Sequence, residues 1–304
     1  MDLLGNIIYD TVYHSTPIVL CVLGGIFAYK SNVLNIALEG MMLNGAFLAV
    51  FVQYLTGNLG LALFASMIVT LVWGFIFSYL GITWKGNVII IGLGINLMVP
   101  AIIKFILRIM ELANINLQNV SVSDFKITIP FIKDIPIIGK LLSGHPPITY
   151  FAFLSIFLFY ILMYKTKFGI YIRVVGENEE SAISLGLNTK FYKYASVLLG
   201  AFCCGLAGIN LSLERMCMFT NDMTAGRGFI AIAAIYCGQG NPIACSIYAI
   251  LFGIARALSI NLAVYAGPVA GLFDMIPYVI MIGVLAFISY IKYKNVKVRG
   301  FKLE

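Results

Sequence analysis

The chain has 304 residues, of which 61% are hydrophobic and only 11% are charged, and its formal net charge is +7. The charged share is roughly half that of an ordinary soluble domain. Apolar runs long enough to cross about 30 Å of hydrocarbon recur from one end of the sequence to the other. The composition therefore excludes a soluble globular protein, and the absence of period-two alternation in these runs excludes a β-barrel.

The predicted elements are helices of an all-α, polytopic transmembrane bundle with about nine spans, eight to ten being allowed. In chain order they cover residues 11–29, 34–56, 59–82, 87–107, 147–164, 191–213, 227–239, 241–260 and 270–291. Residues 2–10 carry four apolar residues on one helical face and predict an additional interfacial helix. The run 227–239 is short for a crossing, so it is expected to be tilted, broken or re-entrant. Residues 1–304 are predicted to form a single membrane domain.

The basic residues predict the orientation of the bundle, because Lys and Arg concentrate in cytoplasmic loops. Lys30, Lys85, the segment 165–193 and the C-terminal tail fall on one side if the spans alternate. The C-terminus is then cytoplasmic and the N-terminus outside, with 165–193 a cytoplasmic loop and 108–146 an external loop. Four basic residues in that external loop count against this topology, but placing the loop inside would break the alternation. The basic residues are not interleaved with aromatic ones, so nucleic acid is not an expected partner.

The sequence lacks the patterns that catalysis or cofactor binding would need. It has no phosphate-binding Gly-x-x-x-x-Gly-Lys-Ser/Thr loop, and the pair Gly92 and Gly94 lies inside a span without a following third glycine. His14 and His145 are the two histidines, and the six cysteines show no metal-type spacing. We therefore predict no catalytic residue, no metal site and no cofactor, and we do not expect an enzyme.

Polar residues within the spans are the candidates for a substrate pathway, because burying them in a membrane costs free energy unless they find partners or line a path. These candidates are Asn35, Glu39, Asn44 and Asn96. The alternative for each asparagine is a hydrogen bond between helices, and the alternative for Glu39 is a solvated or capping carboxylate. Arg256 and Asp274 are expected either to form an ion pair that stabilises a hairpin or to contact solute.

Three stretches together resemble a known family: NVLNIALEGMMLNGAF (32–47), RVVGENEESAISLGLNTKFYKYASVLLGAFCCGLAG (173–208) and MTAGRGFIAIAAIYCGQGNPI (223–243). They resemble the permease subunits of bacterial ATP-binding-cassette (ABC) importers in the branch that handles ribose-type sugars, nucleosides and branched-chain amino acids. The stretches NIALEGMML and MTAGRGFIA look most like the shorter permease of guanosine-type nucleoside or simple-sugar systems.

The resemblance implies a multi-pass permease of the bacterial cell membrane that forms half of a translocation pathway and works by alternating access. The implied partners are membrane lipid, a second permease in a heterodimer, a cytoplasmic ATPase that binds ATP, and an external substrate-binding protein. A branched-chain amino acid permease is the alternative within this family. An ion-coupled secondary transporter is the alternative from another class, although Glu39 is its one candidate coupling carboxylate in the first eight predicted spans.

The resemblance also assigns a role to the charged loop 165–193, because permeases of this family seat a short cytoplasmic helix in a cleft of the ATPase. The residues that match the family's pattern are Gly176, Glu177, Asn178, Glu179, Glu180, Ser181, Ala182, Leu185 and Gly186. We expect a turn at Gly176, acidic residues at a helix N-terminus, and an apolar face of Ala182, Ile183 and Leu185. The alternative is a solvated loop helix without a partner.

Overall fold

The computed structural model describes residues 2–128, 138–264 and 270–298. The helices are α1 (Asp2–Lys30), α2 (Leu38–Thr56), α3 (Leu59–Ser78), α4 (Val88–Ile109), α5 (Ile138–Leu142), α6 (Pro147–Lys165), α7 (Lys167–Glu177), α8 (Glu179–Ser184), α9 (Thr189–Ile209), α10 (Arg227–Cys237), α11 (Pro242–Ala263), α12 (Ala270–Phe273) and α13 (Ile276–Val298). π-Helical turns continue α3 to Thr83 and α9 to Glu214. Two short strands, β1 (Ile115–Asn116) and β2 (Met218–Phe219), and a 3-10 turn at Val122–Phe125 complete the described elements.

Eight helices in the described part of the chain are long and apolar enough to span a membrane, which confirms the predicted all-α, polytopic class. They are Gly5–Lys30, Leu38–Thr56, Leu59–Thr83, Val88–Ile109, Pro147–Lys165, Thr189–Glu214, Pro242–Ala263 and Gly271–Tyr290. The remaining predicted segment, 227–239, corresponds to α10, which has 11 residues and is about 16 Å long. Since the hydrocarbon layer is about 30 Å thick, α10 is a half-length helix.

Two sequence predictions near the N-terminus need correction. Residues 2–10 do not form a separate interfacial helix, because α1 runs without interruption from Asp2 to Lys30. The span predicted at 34–56 is not helical at its start, because α2 begins at Leu38 and residues 33–36 have no regular secondary structure. The apolar residues Val33, Leu34 and Ile36 gave this segment the composition of a helix, and composition alone does not reveal an interruption.

The helices α1 and α9 form the centre of the bundle. α1 packs against α9 and α11, and α9 also packs against α2 and α3. Small residues allow these helices to approach closely. A Cβ atom added to Gly208 of α9 would lie 2.2 Å from the carbonyl oxygen of Met42 in α2. The absence of a side chain at Gly208 therefore allows α9 to pack tightly against α2.

The connecting segments collect at two ends of the bundle. Lys30 and Arg173 line one pocket, and Lys85 lines a cleft together with Glu179 and Lys193. We call this the basic end. At the opposite end, the hydroxyl of Tyr9 donates to the carbonyl of Gly144 at 3.2 Å. The positions of Lys30, Lys85 and the segment 165–193 at one end agree with the predicted alternation of spans, while the side on which each end faces stays a prediction.

The predicted external loop 108–146 is structured at the opposite end. Its strand β1 pairs antiparallel with β2, so that Ile115 faces Phe219. A bridge between Ile127 and His145 closes the loop further along. Residues 129–137 of this loop, and the predicted basic tail beyond Val298, lie outside the described residues.

Candidate functional site: a helix interruption and the coupling segment

The first feature of the candidate site is the non-helical segment 31–37 between α1 and α2, which we call the interruption. Residues 33–36 have no regular secondary structure, yet Val33, Asn35 and Ala37 are buried. An unwound backbone at membrane depth needs hydrogen-bond partners, because lipid supplies none. The side-chain oxygen of Asn35 accepts the N–H of Ala37 at 3.0 Å and so meets part of this need locally.

Asn96 of α4 holds the interruption from the side. Its Nδ2 donates to the carbonyl of Ile36 at 2.8 Å, and its Oδ1 accepts the N–H of Gly40 at 2.8 Å. One side chain thus satisfies a free carbonyl of the interruption and a free N–H at the start of α2. The structure therefore gives Asn96 the role of a link between helices, which the sequence had left as one of two possibilities.

Glu39 caps a different helix from its own. Its Oε1 accepts the N–H of Gly226 at 2.9 Å, and its Oε2 accepts the N–H of Gly228 at 2.5 Å. These groups open α10, whose first N–H groups have no partner within the helix, and a negative charge is favourable at a helix N-terminus. The sequence offered a solvated or a capping carboxylate as the alternatives to a substrate role, and in this conformation Glu39 is a capping carboxylate.

The interruption and the start of α10 meet inside the bundle. The residues after α10 return to the basic end, where Gly240 lies against Tyr29 and Lys30. The start of α10 is therefore separated from that end by the length of the helix, about 16 Å along its axis. Interrupted helices whose N-termini meet near the middle of the membrane are typical of substrate sites in transporters. Here Asn96 accepts an N–H group at the start of α2, and Glu39 accepts two N–H groups at the start of α10.

Asn44 lies one turn further along α2 and joins α2 to α3. Its Nδ2 donates to the hydroxyl of Thr70 at 3.1 Å, and its Oδ1 accepts the indole N–H of Trp73 at 3.3 Å. Asn44 and Trp73 also line an apolar cavity of about 150 Å³. Pockets for small ligands are usually about 300–1,000 Å³, so this cavity is too small for such a ligand in this conformation. Solute contact by Asn35, Glu39, Asn44 and Asn96 stays a prediction.

The coupling segment begins with a close backbone contact at Gly176. A Cβ atom added there would lie 1.9 Å from the carbonyl oxygen of Lys30, so only glycine allows α7 to approach the end of α1 this closely. The expected turn at Gly176 is wrong, because this residue is helical and α7 continues to Glu177. The turn falls at Asn178, whose backbone is extended.

The short helix α8 is defined at both ends by its sequence. The side chain of Asn178 caps its N-terminus by accepting the N–H of Ser181 at 2.9 Å, with Glu179 and Glu180 in the first turn. At its C-terminus, Gly186 has a left-handed backbone (φ +77°). The N–H of Leu187 bonds to the carbonyl of Ala182 there, the pattern of a Schellman motif.

The side chains of α8 divide into an inner and an outer set. Ala182 is fully buried, whereas Ile183 and Leu185 are 58% and 73% exposed. The expected common apolar face of these three residues is therefore wrong, because Ala182 packs inward and the other two point outward. Glu179 forms an ion pair with Lys193 of α9 at 2.6 Å. This hydrogen bond from Lys193 is the main reason why the pKa of Glu179 is lowered from its ordinary value.

A buried polar cluster at the opposite end was missed by the sequence interpretation. The guanidinium group of Arg215 lies 4.1 Å from the ring of Tyr13 and donates to the hydroxyls of Thr16 and Thr149 at 3.0 and 2.8 Å. Glu214 accepts the amide of Asn210 at 2.7 Å. The sequence signal was the pair Glu214-Arg215 at the end of a long apolar run.

Arg256 and Asp274 form the ion pair that was one of their two predicted roles. The Nη1 of Arg256 in α11 lies 3.0 Å from the Oδ1 of Asp274, which follows α12. The hydroxyl of Ser259 adds a hydrogen bond to the carbonyl of Phe273 at 2.6 Å. Within the described ranges no group of three or more His, Cys, Asp or Glu residues could hold a metal ion.

Eight membrane-length helices, and a half-length helix whose start is bonded to the start of α2, define a multi-pass helical membrane protein. The chain belongs to the family described as "Branched-chain amino acid transport system / permease component", which matches residues 7–285. It is thus a multi-pass permease of the bacterial plasma membrane.

Three relatives cover most of the chain. The guanosine ABC transporter permease protein NupQ of Bacillus subtilis is 31% identical over 93% of this chain and 89% of its own length. The nucleoside ABC transporter permease protein NupC of Lactococcus lactis is 31% identical over 92% of this chain and 91% of its own. The putative glucose ABC transporter permease protein TsgC13 of Haloferax volcanii is 27% identical over 86% and 79%. No solved structure matches the chain.

Proposed function

We propose that this permease is one of two membrane subunits of an ABC importer that carries a nucleoside or a simple sugar. The observation that supports this most directly is the contact between Gly176 and the carbonyl of Lys30. This contact joins α7, which leads directly into the exposed helix α8, to the end of α1 just before the interruption. A push on α8 from a soluble partner would therefore reach the centre of the bundle through backbone contacts.

The surface of α8 suits a protein partner. Ile183 and Leu185 are exposed apolar side chains on a segment that lies beyond the ends of the spans α6 and α9. Glu180 adds an acidic group to the same short helix. We propose that a cytoplasmic ATPase covers these residues, and that its closure on ATP moves α7 and α8 against α1. This assignment places the basic end in the cytoplasm and the cluster around Arg215 toward an external binding protein.

The substrate class rests on the relatives, whose names refer to guanosine, nucleoside and glucose. Such neutral solutes are bound through amide, hydroxyl and aromatic contacts rather than through a charge clamp, and Asn44 with Trp73 offers this chemistry once its present bonds are exchanged. The alternative of ion coupling is weakened by Glu39, because both of its carboxylate oxygens accept backbone N–H groups of α10. A branched-chain amino acid remains the alternative solute.

Uptake competition tests the proposal. A strain that lacks only this subunit should lose uptake of a labelled nucleoside or sugar and regain it with the wild-type gene, and unlabelled leucine should not compete. Competition by leucine alone would assign the chain to amino acid transport. Uptake by proteoliposomes of this protein alone, driven by a proton or sodium gradient without ATP, would overturn the ABC assignment.

A further inference from the structure

The pocket lined by Lys30 and Arg173 at the basic end lies outside the predicted substrate pathway. It has a volume of about 370 Å³ and is bounded by the last turns of α1, α6, α7 and α10. The side chains that give it chemical character are Lys30, Arg173 and Glu177, together with Tyr29, Tyr164 and Tyr236. From these residues we propose that the pocket binds the phosphate group of an anionic phospholipid.

The charges of the pocket favour an anion. Lys30 and Arg173 contribute two positive charges against the single negative charge of Glu177. Neither cation forms an ion pair with a carboxylate among the residues that the structure describes. The Nε of Arg173 is buried and has no hydrogen-bond partner among them. A guanidinium group without a carboxylate is well suited to phosphate, because its planar set of N–H donors matches the phosphate oxygens.

Aromatic rings hold both cations in place. The guanidinium carbon of Arg173 lies 4.9 Å from the centre of the Tyr164 ring, and the Nζ of Lys30 lies 5.9 Å from that of Tyr29. Stacking on a ring fixes the position of a cation while leaving its hydrogen-bond donors free. The two positive groups are therefore arranged before a ligand arrives.

The depth of the pocket identifies the source of the phosphate. Tyr29, Tyr164 and Tyr236 each lie in the last turn of a helix that ends at the basic end. Tyrosines at this level of a membrane protein mark the boundary between hydrocarbon and water. Basic pockets between helices at that boundary accommodate the headgroups of anionic lipids. A lipid headgroup thus fits the site better than a phosphate compound that arrives from solution.

Lipid binding can be measured on the purified full chain in nanodiscs. We expect wild-type protein to retain phosphatidylglycerol in preference to phosphatidylcholine when detected by native mass spectrometry. Arg173→Gln should reduce this retention roughly tenfold, the loss of one or two charge-assisted hydrogen bonds. Lys30→Gln should reduce it in the same direction. Lys190→Gln is the matched control, since Lys190 lies at the basic end but not in this pocket, and it should bind lipid as wild type does.

Three results would contradict the proposal that the pocket binds a phospholipid headgroup. Equal retention of phosphatidylglycerol and phosphatidylcholine by wild-type protein would by itself overturn the proposal, whatever the variants show. Equal losses in Arg173→Gln and Lys190→Gln would also overturn it, because the effect would then be one of general surface charge. Displacement of phosphatidylglycerol by millimolar inorganic phosphate would assign the pocket to a soluble phosphate instead. None of these outcomes depends on the transported solute or on the ATPase.

Discussion

The carboxylate of Glu39 lies 2.5 Å from the backbone nitrogen of Gly228, and this bond ties the start of α2 to the start of α10. The two residues are separated by 189 positions in sequence. Because Asn96 joins the same region to α4, two polar side chains connect the three helices α2, α4 and α10. Movement of α10 relative to α2 therefore requires that the bonds of Glu39 be broken or exchanged.

Replacement of Glu39 should destabilise the bundle in a graded way. Glu39→Ala leaves two N–H groups of α10 without an acceptor and should lower the free energy of unfolding by about 1–3 kcal/mol. Glu39→Gln keeps one acceptor oxygen and should cost less. The measurement is thermal unfolding in detergent, followed by the fluorescence of Trp73 and Trp84. Glu180→Gln is the control, and equal midpoints for all four proteins would contradict the capping role.

Gly176→Ala tests the contact that links the coupling segment to α1. The added methyl group would overlap the carbonyl of Lys30, and overpacking of this kind costs roughly 1–3 kcal/mol. We expect α7 to move away from α1, so that solute uptake falls several-fold while ATP hydrolysis by the assembled complex continues. Gly94→Ala is the matched control, because an added Cβ there meets no atom within 4 Å. Normal uptake per ATP in Gly176→Ala would show that the contact transmits no movement.

The exposed apolar residues of α8 should be required for partner binding. Leu185→Asn and Ile183→Asn remove apolar surface without disturbing Ala182, which anchors the helix. We expect each to reduce copurification of the ATPase while leaving membrane insertion unchanged. Ser184→Asn, a change of similar polarity on the same helix, should have little effect. Undiminished copurification of both apolar variants would remove α8 from the interface.

The acidic residues of α8 are better tested one at a time. Glu180→Lys plus Glu179→Lys should reduce copurification of the ATPase, but the second change also reverses the charge that pairs with Lys193. Glu180→Lys alone leaves this pair intact and should reduce copurification through the partner surface. A loss seen only in the double variant would point to the ion pair within the chain rather than to the partner.

The ion pair between Glu179 and Lys193 should persist to acidic pH. Since the pKa of Glu179 is lowered from 4.5, its stabilisation is present above the unfolded value and is lost as pH falls through the lower folded value. The pair is partly exposed, so it contributes at most about 1 kcal/mol. The difference in unfolding midpoint between wild type and Glu179→Gln should be constant from pH 8 to about pH 5 and decrease as the pH falls below the unfolded value. A difference that grows on acidification would contradict this sign.

The sequence allowed the spans to be predicted, because the length of an apolar run is set directly by membrane thickness. It also suggested the pairing of Arg256 with Asp274, which lie close in sequence and in a hairpin. The interruption before α2 was not predicted, since Val33 and Ile36 are as apolar as their helical neighbours. The hydrogen bonds that stabilise the interruption come from Asn96, 56 to 60 residues away in sequence. The local sequence pattern does not predict them.

The error at Gly176 has the same physical origin. A glycine followed by acidic residues is typical of a turn before a helix, and the local pattern favours that interpretation. The actual requirement comes from the backbone of Lys30, 146 positions earlier in the chain, which leaves no room for a side chain. Similarly, the cluster of Tyr13, Thr149 and Arg215 joins three distant segments. Such sites depend on how helices are placed, which the sequence of one helix does not state.

All six cysteines are reduced and buried, and Cys203 and Cys204 lie in the centre of α9. Thiol reagents attack accessible thiolates, so the folded protein offers them no native target. A single cysteine introduced at the exposed position of Leu185 would therefore be labelled selectively in the otherwise natural sequence. A fluorophore or spin label at that position would report the approach of a partner to α8 in real time, with the packing of the membrane core left as it is.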